Sequence, residues 1–255
     1  MGSAFGMQSL GYFIRLGMGL LGLGVSAIPS RADLADDLAR IATEASGGAK
    51  AIESLASWRA VGETRIGERS MPFILYVARP RSVRIETVGE TGSLVRAFDG
   101  VHVPWKKTAA LKPPLRLGPE EERLFVQEAE FDPPFFNYRA RRISLDYAGE
   151  SVIGGRSFQT LLATLNFSEV TKLYLADKTH LLTLREVLRK QEGREVRMVT
   201  LYSDYRSVEG VLLPHRIRVE AEGRLMHETV IESYDANPDI PEGFFAPPVD
   251  NWPKW

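Results

Sequence analysis

The sequence predicts a mainly β fold of the α+β class: an incomplete antiparallel β-barrel, or strongly curved sheet, covered by an N-terminal helix and a lid helix. Short apolar stretches separated by turn residues at hairpin spacing fill most of the chain, a helical apolar pattern precedes them, and a proline-bounded segment interrupts them. The chain has 255 residues, of which 44% are hydrophobic and 25% are charged, an ordinary globular composition. A single all-β domain accommodates this length, so we expect one domain.

The first 32 residues have the pattern of a secretory signal peptide. They contain no Asp or Glu, and Arg15 precedes an apolar run from Leu16 to Ala27. A bilayer span needs about 20 apolar residues, so the short run argues against an uncleaved anchor. Small residues follow the run, and cleavage is predicted after Ala27 or Ala32. The predicted organisation is a signal peptide at 1–32, one domain at 33–248 and a tail at 249–255.

A helical pattern opens the predicted domain. Apolar residues recur at helical spacing from Leu34 to Ala45, and Asp33 is the predicted N-cap. Gly47-Gly48 interrupts this helix, and Ala49 to Leu55 is predicted to form a second short helical turn. The chain then enters the sheet.

Successive strands and turns follow in the pattern of a meander, which predicts an antiparallel sheet. Asp99-Gly100 is a strong hairpin signal, because both residue types tolerate a positive φ. The clearest strands of the first set are Phe73 to Ala78, Val83 to Val88, Ser93 to Phe98 and Val101 to Trp105. Those of the second set are Ile143 to Ile153, Ser157 to Leu165, Val170 to Leu175, Leu181 to Leu188, Val196 to Tyr205, Val211 to Glu220 and Leu225 to Tyr234.

An insertion separates the two sets of strands. Pro113-Pro114 begins it, Pro119 to Glu130 has helical composition with three acidic residues near its start, and Asp132-Pro133-Pro134 ends it. Leu124, Phe125 and Phe131 give this segment an apolar side. We expect it to be a lid helix that covers part of the sheet.

The residues that carry chemistry give no catalytic constellation. The net charge is −1 with no basic cluster, which argues against nucleic-acid binding, and there is no cysteine to act as nucleophile or metal ligand. His215 and His227 lie on strands joined at Glu222-Gly223, but a metal would need a third ligand that the sequence does not supply. We therefore predict no enzymatic activity, no cofactor and no metal site.

A strongly curved sheet with this many apolar positions predicts a cavity for a lipid-sized ligand. Such ligands are held by burial of their methylene groups, at about 0.8 kcal/mol each, and need apolar rather than catalytic side chains. The alternative is that the same side chains only fill a core. The candidate lining residues are Phe73, Leu75, Val77, Val83, Ile85, Trp105, Leu124, Phe125 and Phe131.

Three segments, in this order, resemble one known family. Val77 to Glu86 is similar to its Arg-Pro strand turn, Ser93 to Gly100 followed by Trp105 to its Asp-Gly hairpin, and Glu242 to Pro248 to its closing Phe-x-x-Pro-Pro segment. The family is the LolA-like group of periplasmic carriers of outer-membrane lipoproteins, which includes the lipoprotein-like domain of an envelope-stress sensor. The segment from Asp204 to Pro214 resembles its broader, largely uncharacterised branch.

The resemblance implies a periplasmic, monomeric, non-enzymatic carrier of lipoprotein acyl chains or another lipid, with an inner-membrane donor and an outer-membrane acceptor as partners. It also implies that Arg79 is a gate that caps carbonyl groups of the lid, whereas the residues alone favour a surface arginine that stabilises a turn. The lid segment from Pro113 to Phe136 does not align with the classical lid, so the lipid stays open. A sensing adaptor is the alternative function, with the tail from Asn251 to Trp255 either docking to a partner or packing back on the domain.

Overall fold

The computed structural model describes residues 30–89, 92–108, 113–165, 169–191, 193–249 and 251–254. Most of the predicted signal peptide, including the predicted cleavage position after Ala27, lies outside the described residues, as does Trp255. Within the described part, no helix combines the length and apolar character needed to cross a membrane.

The described chain forms three helices and thirteen strands. The helices are α1 (Arg31–Ala45), α2 (Ala49–Ser54) and α3 (Pro119–Glu128). The strands of the first half are β1 (Ser57–Ile66), β2 (Arg69–Ala78), β3 (Ser82–Gly89), β4 (Gly92–Phe98), β5 (Trp105–Thr108) and β6 (Leu115–Arg116). Those of the second half are β7 (Ser144–Ile153), β8 (Arg156–Leu165), β9 (Glu169–Ala176), β10 (Leu182–Gln191), β11 (Arg194–Val208), β12 (Val211–Ala221) and β13 (Arg224–Ala236).

All thirteen strands belong to one antiparallel sheet that does not close. Its order is β6-β5-β4-β3-β2-β1-β13-β12-β11-β10-β9-β8-β7, so two meanders meet where β1 pairs with β13. The three helices cover one side, which we call the inner face, and the opposite side is the outer face. The predicted mainly β fold, an incomplete antiparallel barrel with helical covers, is confirmed.

The N-cap of α1 differs from the prediction. Ser30 caps the helix, and its hydroxyl accepts a hydrogen bond from the Asp33 amide at 3.2 Å, while the Asp33 carboxylate accepts one from the Ser30 amide at 3.0 Å. This reciprocal pair satisfies two amides that the first turn of a helix leaves without partners. Asp33 is therefore the third helical residue, and the prediction that it caps the helix is wrong.

The strand predicted from Val101 to Trp105 is also wrong. The Asp99 carboxylate accepts hydrogen bonds from the amides of Val101 at 2.9 Å and His102 at 2.7 Å, so the chain turns here instead of pairing with β4. Pro104, which has no amide proton, follows, and β5 begins at Trp105. Trp105 then pairs with Ala97 of β4, which sets the face on which it lies.

Two groups of apolar residues fill the inner face. One, under α1 and α2, joins Leu38 and Ile52 of the helices to Leu161 of β8 and Leu173 of β9. The other, under α3, joins Phe125 and Val126 of α3, and Ala129 directly after it, to β2, β3 and β4. Trp58 of β1 packs against both groups, at the junction of the two halves.

Candidate functional site

The candidate site is the part of the inner face beneath α3. Leu75 pairs with Ile85 and Val77 with Val83 across β2 and β3, so these side chains share a face with Phe73. Besides the group under α3, the inner face has an adjoining cluster formed by Ala60, Phe73 and Ile231 of β1, β2 and β13. Among the residues predicted to line a lipid cavity, seven meet in these two clusters: Phe73, Leu75, Val77, Val83, Ile85, Phe125 and Phe131.

These side chains are packed rather than separated in the structure. Val77 is 2% exposed, Val83 1% and Phe125 2%, whereas Leu75 and Ile85 are half-buried at the edge of the cluster. Leu124, on the same helix as Phe125, is also half-buried and lies outside the two clusters. The structure thus holds α3 closed on the apolar side chains beneath it, Val77, Val83 and Phe98 with the adjoining Leu75 and Ile85, which we call the floor. A lipid cavity at this position stays a prediction.

Trp105 does not belong to this surface, which corrects the prediction for that residue. It pairs with Ala97 on β4, and Ala97 pairs with Arg84 on β3, so Trp105 points to the outer face. Its indole Nε1 donates a hydrogen bond to the carbonyl oxygen of Phe245 at 3.1 Å. Its partner is Ala97 instead of Leu94, which a two-residue turn at Asp99-Gly100 would place opposite it, and an odd register shift exchanges the two faces of the sheet.

Arg79 stands at the end of β2 and joins three segments. Its Nε donates to the carbonyl of Leu55 at 3.1 Å, and its Nη2 donates to the carbonyl of Ile52 at 2.9 Å, both at the end of α2. The guanidinium also binds both oxygens of Asp132, beyond α3, with Nη2 2.7 Å from Oδ1, and lies 4.4 Å from the ring centre of Phe131.

The geometry of Arg79 specifies which groups a gate would hold. The carbonyls that it binds belong to α2 and Leu55, and the segment after α3 contributes the carboxylate of Asp132, which is 9% exposed. A planar guanidinium suits this arrangement, because its donors fit a carboxylate in a bidentate pair and leave others for carbonyls. Its role as a gate stays a prediction.

Further polar contacts fasten α3 along both sides. Glu121 lies 2.7 Å from the Lys106 ammonium of β5, and Gln127 Nε2 donates to Glu169 of β9 at 2.7 Å. Arg189 of β10 donates to Gln127 Oε1 at 3.0 Å. Since β5 lies in one half of the sheet and β9 and β10 in the other, α3 bridges the two halves.

His215 and His227 do not lie opposite each other on their neighbouring strands. His227 pairs with Val219 across β13 and β12, four positions from His215, which packs edge-on against Tyr234 at 5.1 Å. Burial lowers the pKa of His227. Among the residues that the structure describes, no group of three or more His, Asp or Glu side chains is arranged to hold a metal ion.

The segment after β13 packs back on the outer face. Phe244 contacts Tyr76 edge to face at 4.8 Å, and Arg84 donates to the Phe244 carbonyl at 3.0 Å. Further on, Trp252 Nε1 donates to the carbonyl of Val103 at 2.8 Å. Of the two predicted roles of the tail, the structure shows packing on the domain for residues 251–254.

The fold is similar to that of solved bacterial proteins. A putative outer membrane lipoprotein-sorting protein domain from Vibrio parahaemolyticus matches with a TM-score of 0.58 and 14% identity, over 83% of this chain and 97% of that one. A LolA superfamily protein from Nitrosomonas europaea matches with a TM-score of 0.55 and 13% identity, over 85% and 98%. A DUF1329 family protein from Desulfovibrio piger matches with a TM-score of 0.58 and 12% identity, over 85% and 98%.

Sequence comparison adds no relative to these structures. No protein-family model matches the chain, and no curated protein matches its sequence. The assignment of the fold therefore rests on the structural matches, at 12–14% identity. The resemblance predicted from three short segments is confirmed at the level of the fold: the chain has a LolA-like fold.

Proposed function

We propose that this protein is exported to the periplasm, where it carries an acyl chain of a lipoprotein or another lipid toward the outer membrane. The observation that carries the proposal is the apolar floor beneath α3, together with the polar contacts that fasten α3 at its edges. Polar contacts at an edge exchange readily with water, so such a cover opens without unfolding the sheet. The LolA-like fold supports the same role.

The affinity in this proposal comes from burial of apolar surface. When α3 moves away, the side chains of Val77, Val83 and Phe98 lose their contacts with Phe125 and Val126. An acyl chain replaces those contacts and gains about 0.8 kcal/mol for each buried methylene. This exchange keeps the floor covered and keeps the acyl chain out of water. Carrying a lipid across an aqueous compartment requires both.

Arg79 is the gate in this proposal. It holds the end of α2 and the segment after α3 at one point, so release of Asp132 frees one end of the cover. The guanidinium keeps its bonds to the carbonyls of Ile52 and Leu55, so α2, which ends at these carbonyls, stays in place. This division of bonds allows one segment to move while the other does not.

The proposed carrier is a monomer without catalytic residues, cofactor or metal. Its proposed partners are a lipid donor at the inner membrane and an acceptor at the outer membrane. The alternative is an adaptor that senses lipid or lipoprotein and acts through protein contact. Both need the inner-face site, but only the carrier must release its ligand to an acceptor.

The experiment that tests the proposal is mass spectrometry of an organic extract from the protein purified from a periplasm without detergent. A stoichiometric lipid supports an acyl-binding site, and its transfer to acceptor vesicles supports the carrier over the adaptor. A blank extract, repeated after incubation with lipopeptide and with phospholipid, would show that the inner face is only a filled core. The control is the same chain with Leu75→Glu and Ile85→Glu, which places two carboxylates at the half-buried edge of the floor.

A further inference from the structure

A cavity of about 410 Å³ lies beside α3, on the side that faces the second half of the sheet. It is lined by Arg123 of α3, Glu169 of β9, and Leu188, Arg189 and Lys190 of β10. Three of these five side chains are cationic and one is a carboxylate. The cavity therefore has an excess of positive charge in a chain whose net charge is −1.

The carboxylate in the cavity already has partners. Glu169 accepts a hydrogen bond from Gln127 at 2.7 Å and lies 3.8 Å from the Arg185 guanidinium. Arg123 and Lys190 are exposed, and within the described part of the chain neither takes part in an ion pair. Arg123 and Lys190 are thus available to a ligand at the cavity that Arg189 also lines, and Lys190 lies on the opposite face of β10 from Arg189.

The cavity opens where β10 extends beyond its last paired residue with β9. The pairing of β10 with β9 reaches Val187 and Thr171, whereas β10 continues to Gln191 with β11 as its partner. The three cavity residues of β10 lie on this continuation. This extension gives a ligand access to the edge of α3 from outside.

An apolar path leads from the cavity along the inner face. Arg189 pairs with Val196 of β11, and the next positions on that face pair Val187 with Met198. Met198 in turn pairs with Ala221 of β12. These side chains lie on the same face as the floor under α3, so a charged group in the cavity and an alkyl chain on the inner face fit one molecule.

We propose that this cavity binds the phosphate group of an anionic lipid whose acyl chain lies on the inner face under α3. Guanidinium groups match phosphate oxygens in bidentate pairs, and Lys190 adds a point charge. The inference rests on the proposed function and narrows its cargo to lipids with a phosphate headgroup. A neutral lipid of the same chain length would leave Arg123 and Lys190 without a counter-charge.

The test compares two ligands that share one acyl chain and differ only in the phosphate: 1-palmitoyl-lysophosphatidic acid and 1-palmitoylglycerol. Binding to the full chain is measured by calorimetry below the micelle concentration of each ligand. We expect the phosphate ligand to bind about tenfold more tightly, as charge-assisted hydrogen bonds do, and the preference to shrink as salt is added. The double variant Arg123→Gln/Lys190→Gln should lose this preference and keep its affinity for 1-palmitoylglycerol.

Controls separate this inference from the proposed function. Arg156→Gln, which removes an exposed cation at the start of β8, should leave both affinities unchanged. Equal affinities for the two ligands, or a preference that survives in the double variant, would overturn the inference and leave the carrier function standing. Binding of neither ligand would overturn both. Equally tight binding of sn-glycerol 3-phosphate would show that the cavity takes a soluble phosphate, and would overturn the lipid assignment.

Discussion

The two covers of the inner face are attached in different ways. α1 lies on β7, β8 and β9 through small residues, Ala35, Ala39 and Ala42, which let the helix backbone approach the sheet closely. α3 buries a shorter apolar stretch and is held at its edges by ion pairs and hydrogen bonds. Buried apolar contacts have no substitute in water, whereas edge hydrogen bonds contribute only about 0.5–1.5 kcal/mol each. On the proposed function, α1 is therefore a fixed cover and α3 is an exchangeable one.

The largest expected effect comes from fastening α3 to β9. Gln127 and Glu169 are in hydrogen-bond contact, and the sequence has no cysteine, so Gln127→Cys/Glu169→Cys introduces the only thiols. Cross-linking them with a short bismaleimide should abolish uptake of a fluorescent fatty acid, because α3 then stays on its floor. The unlinked double variant and Gln127→Cys treated with the same reagent should both bind. Normal uptake by the cross-linked protein would mean that α3 is not the lid.

The second effect separates the covers by stability. Leu161 is 0% exposed under the fixed cover, and Leu161→Ala should lower the free energy of unfolding by about 2–5 kcal/mol. Phe125→Ala should cost less in urea unfolding, because the loss cannot exceed the free energy that docks α3 on the sheet. Amide exchange in α3 should become faster in this variant and stay unchanged in α1. A larger loss for Phe125→Ala than for Leu161→Ala would make α3 part of the global core.

The third effect concerns the gate. Arg79→Leu leaves the nearly buried Asp132 carboxylate without its partner, so we expect acyl uptake and release to become about tenfold faster. Arg79→Leu/Asp132→Leu should restore slow exchange, since no carboxylate then remains to be solvated. The matched control is Arg59→Leu, which removes a strand arginine paired with the exposed Asp235 on the outer face. Unchanged exchange rates in Arg79→Leu would remove Arg79 from the gate.

The sheet was largely predictable from the sequence because its turns carry chemical markers. Glu209-Gly210 and Glu222-Gly223, for example, have positive φ at both residues, the geometry of a tight hairpin. The sequence pattern does not delimit β1, because its inner positions after Trp58 are the small residues Ala60 and Gly62 rather than large apolar ones. At one of them, Gly62, a Cβ atom would lie 2.1 Å from the carbonyl oxygen of Val230, so the close approach of β1 and β13 requires glycine.

The contacts of the candidate site were less predictable than the sheet. The resemblance pointed to Arg79, but its carboxylate partner, Asp132, lies 53 residues away, and no spacing rule connects them. The same holds for Gln127 and Glu169, which are 42 residues apart. Trp58, which joins the two apolar groups of the inner face, carries no marker that distinguishes it from any other strand aromatic. Long-range polar pairs depend on how α3 lies on the sheet, and local sequence does not encode that position.

The smallest expected effect lies at the start of the fixed cover. Hydrogen bonds from the side chain and the backbone of Ser30 hold the pKa of Asp33 below 3.8. The contribution of the charged carboxylate to the first turn of α1 is therefore complete above pH 3.8 and is lost as the pH falls through the lowered pKa. Ser30→Ala should raise the pKa of Asp33 toward 3.8 in a carbon-13 NMR titration, and Ser46→Ala, at the other end of α1, should leave it unchanged.

The two predicted cleavage positions differ in whether this cap exists in the mature protein. Cleavage after Ala27 keeps Ser30 and its capping pair with Asp33, whereas cleavage after Ala32 removes Ser30 and makes Asp33 the N-terminal residue, so the intact mass of the mature protein distinguishes them. Because α1 is a fixed cover, Ser30→Ala should also leave acyl uptake unchanged. A change in uptake on loss of this cap would mean that α1 moves with α3, and the distinction between the two covers would fail.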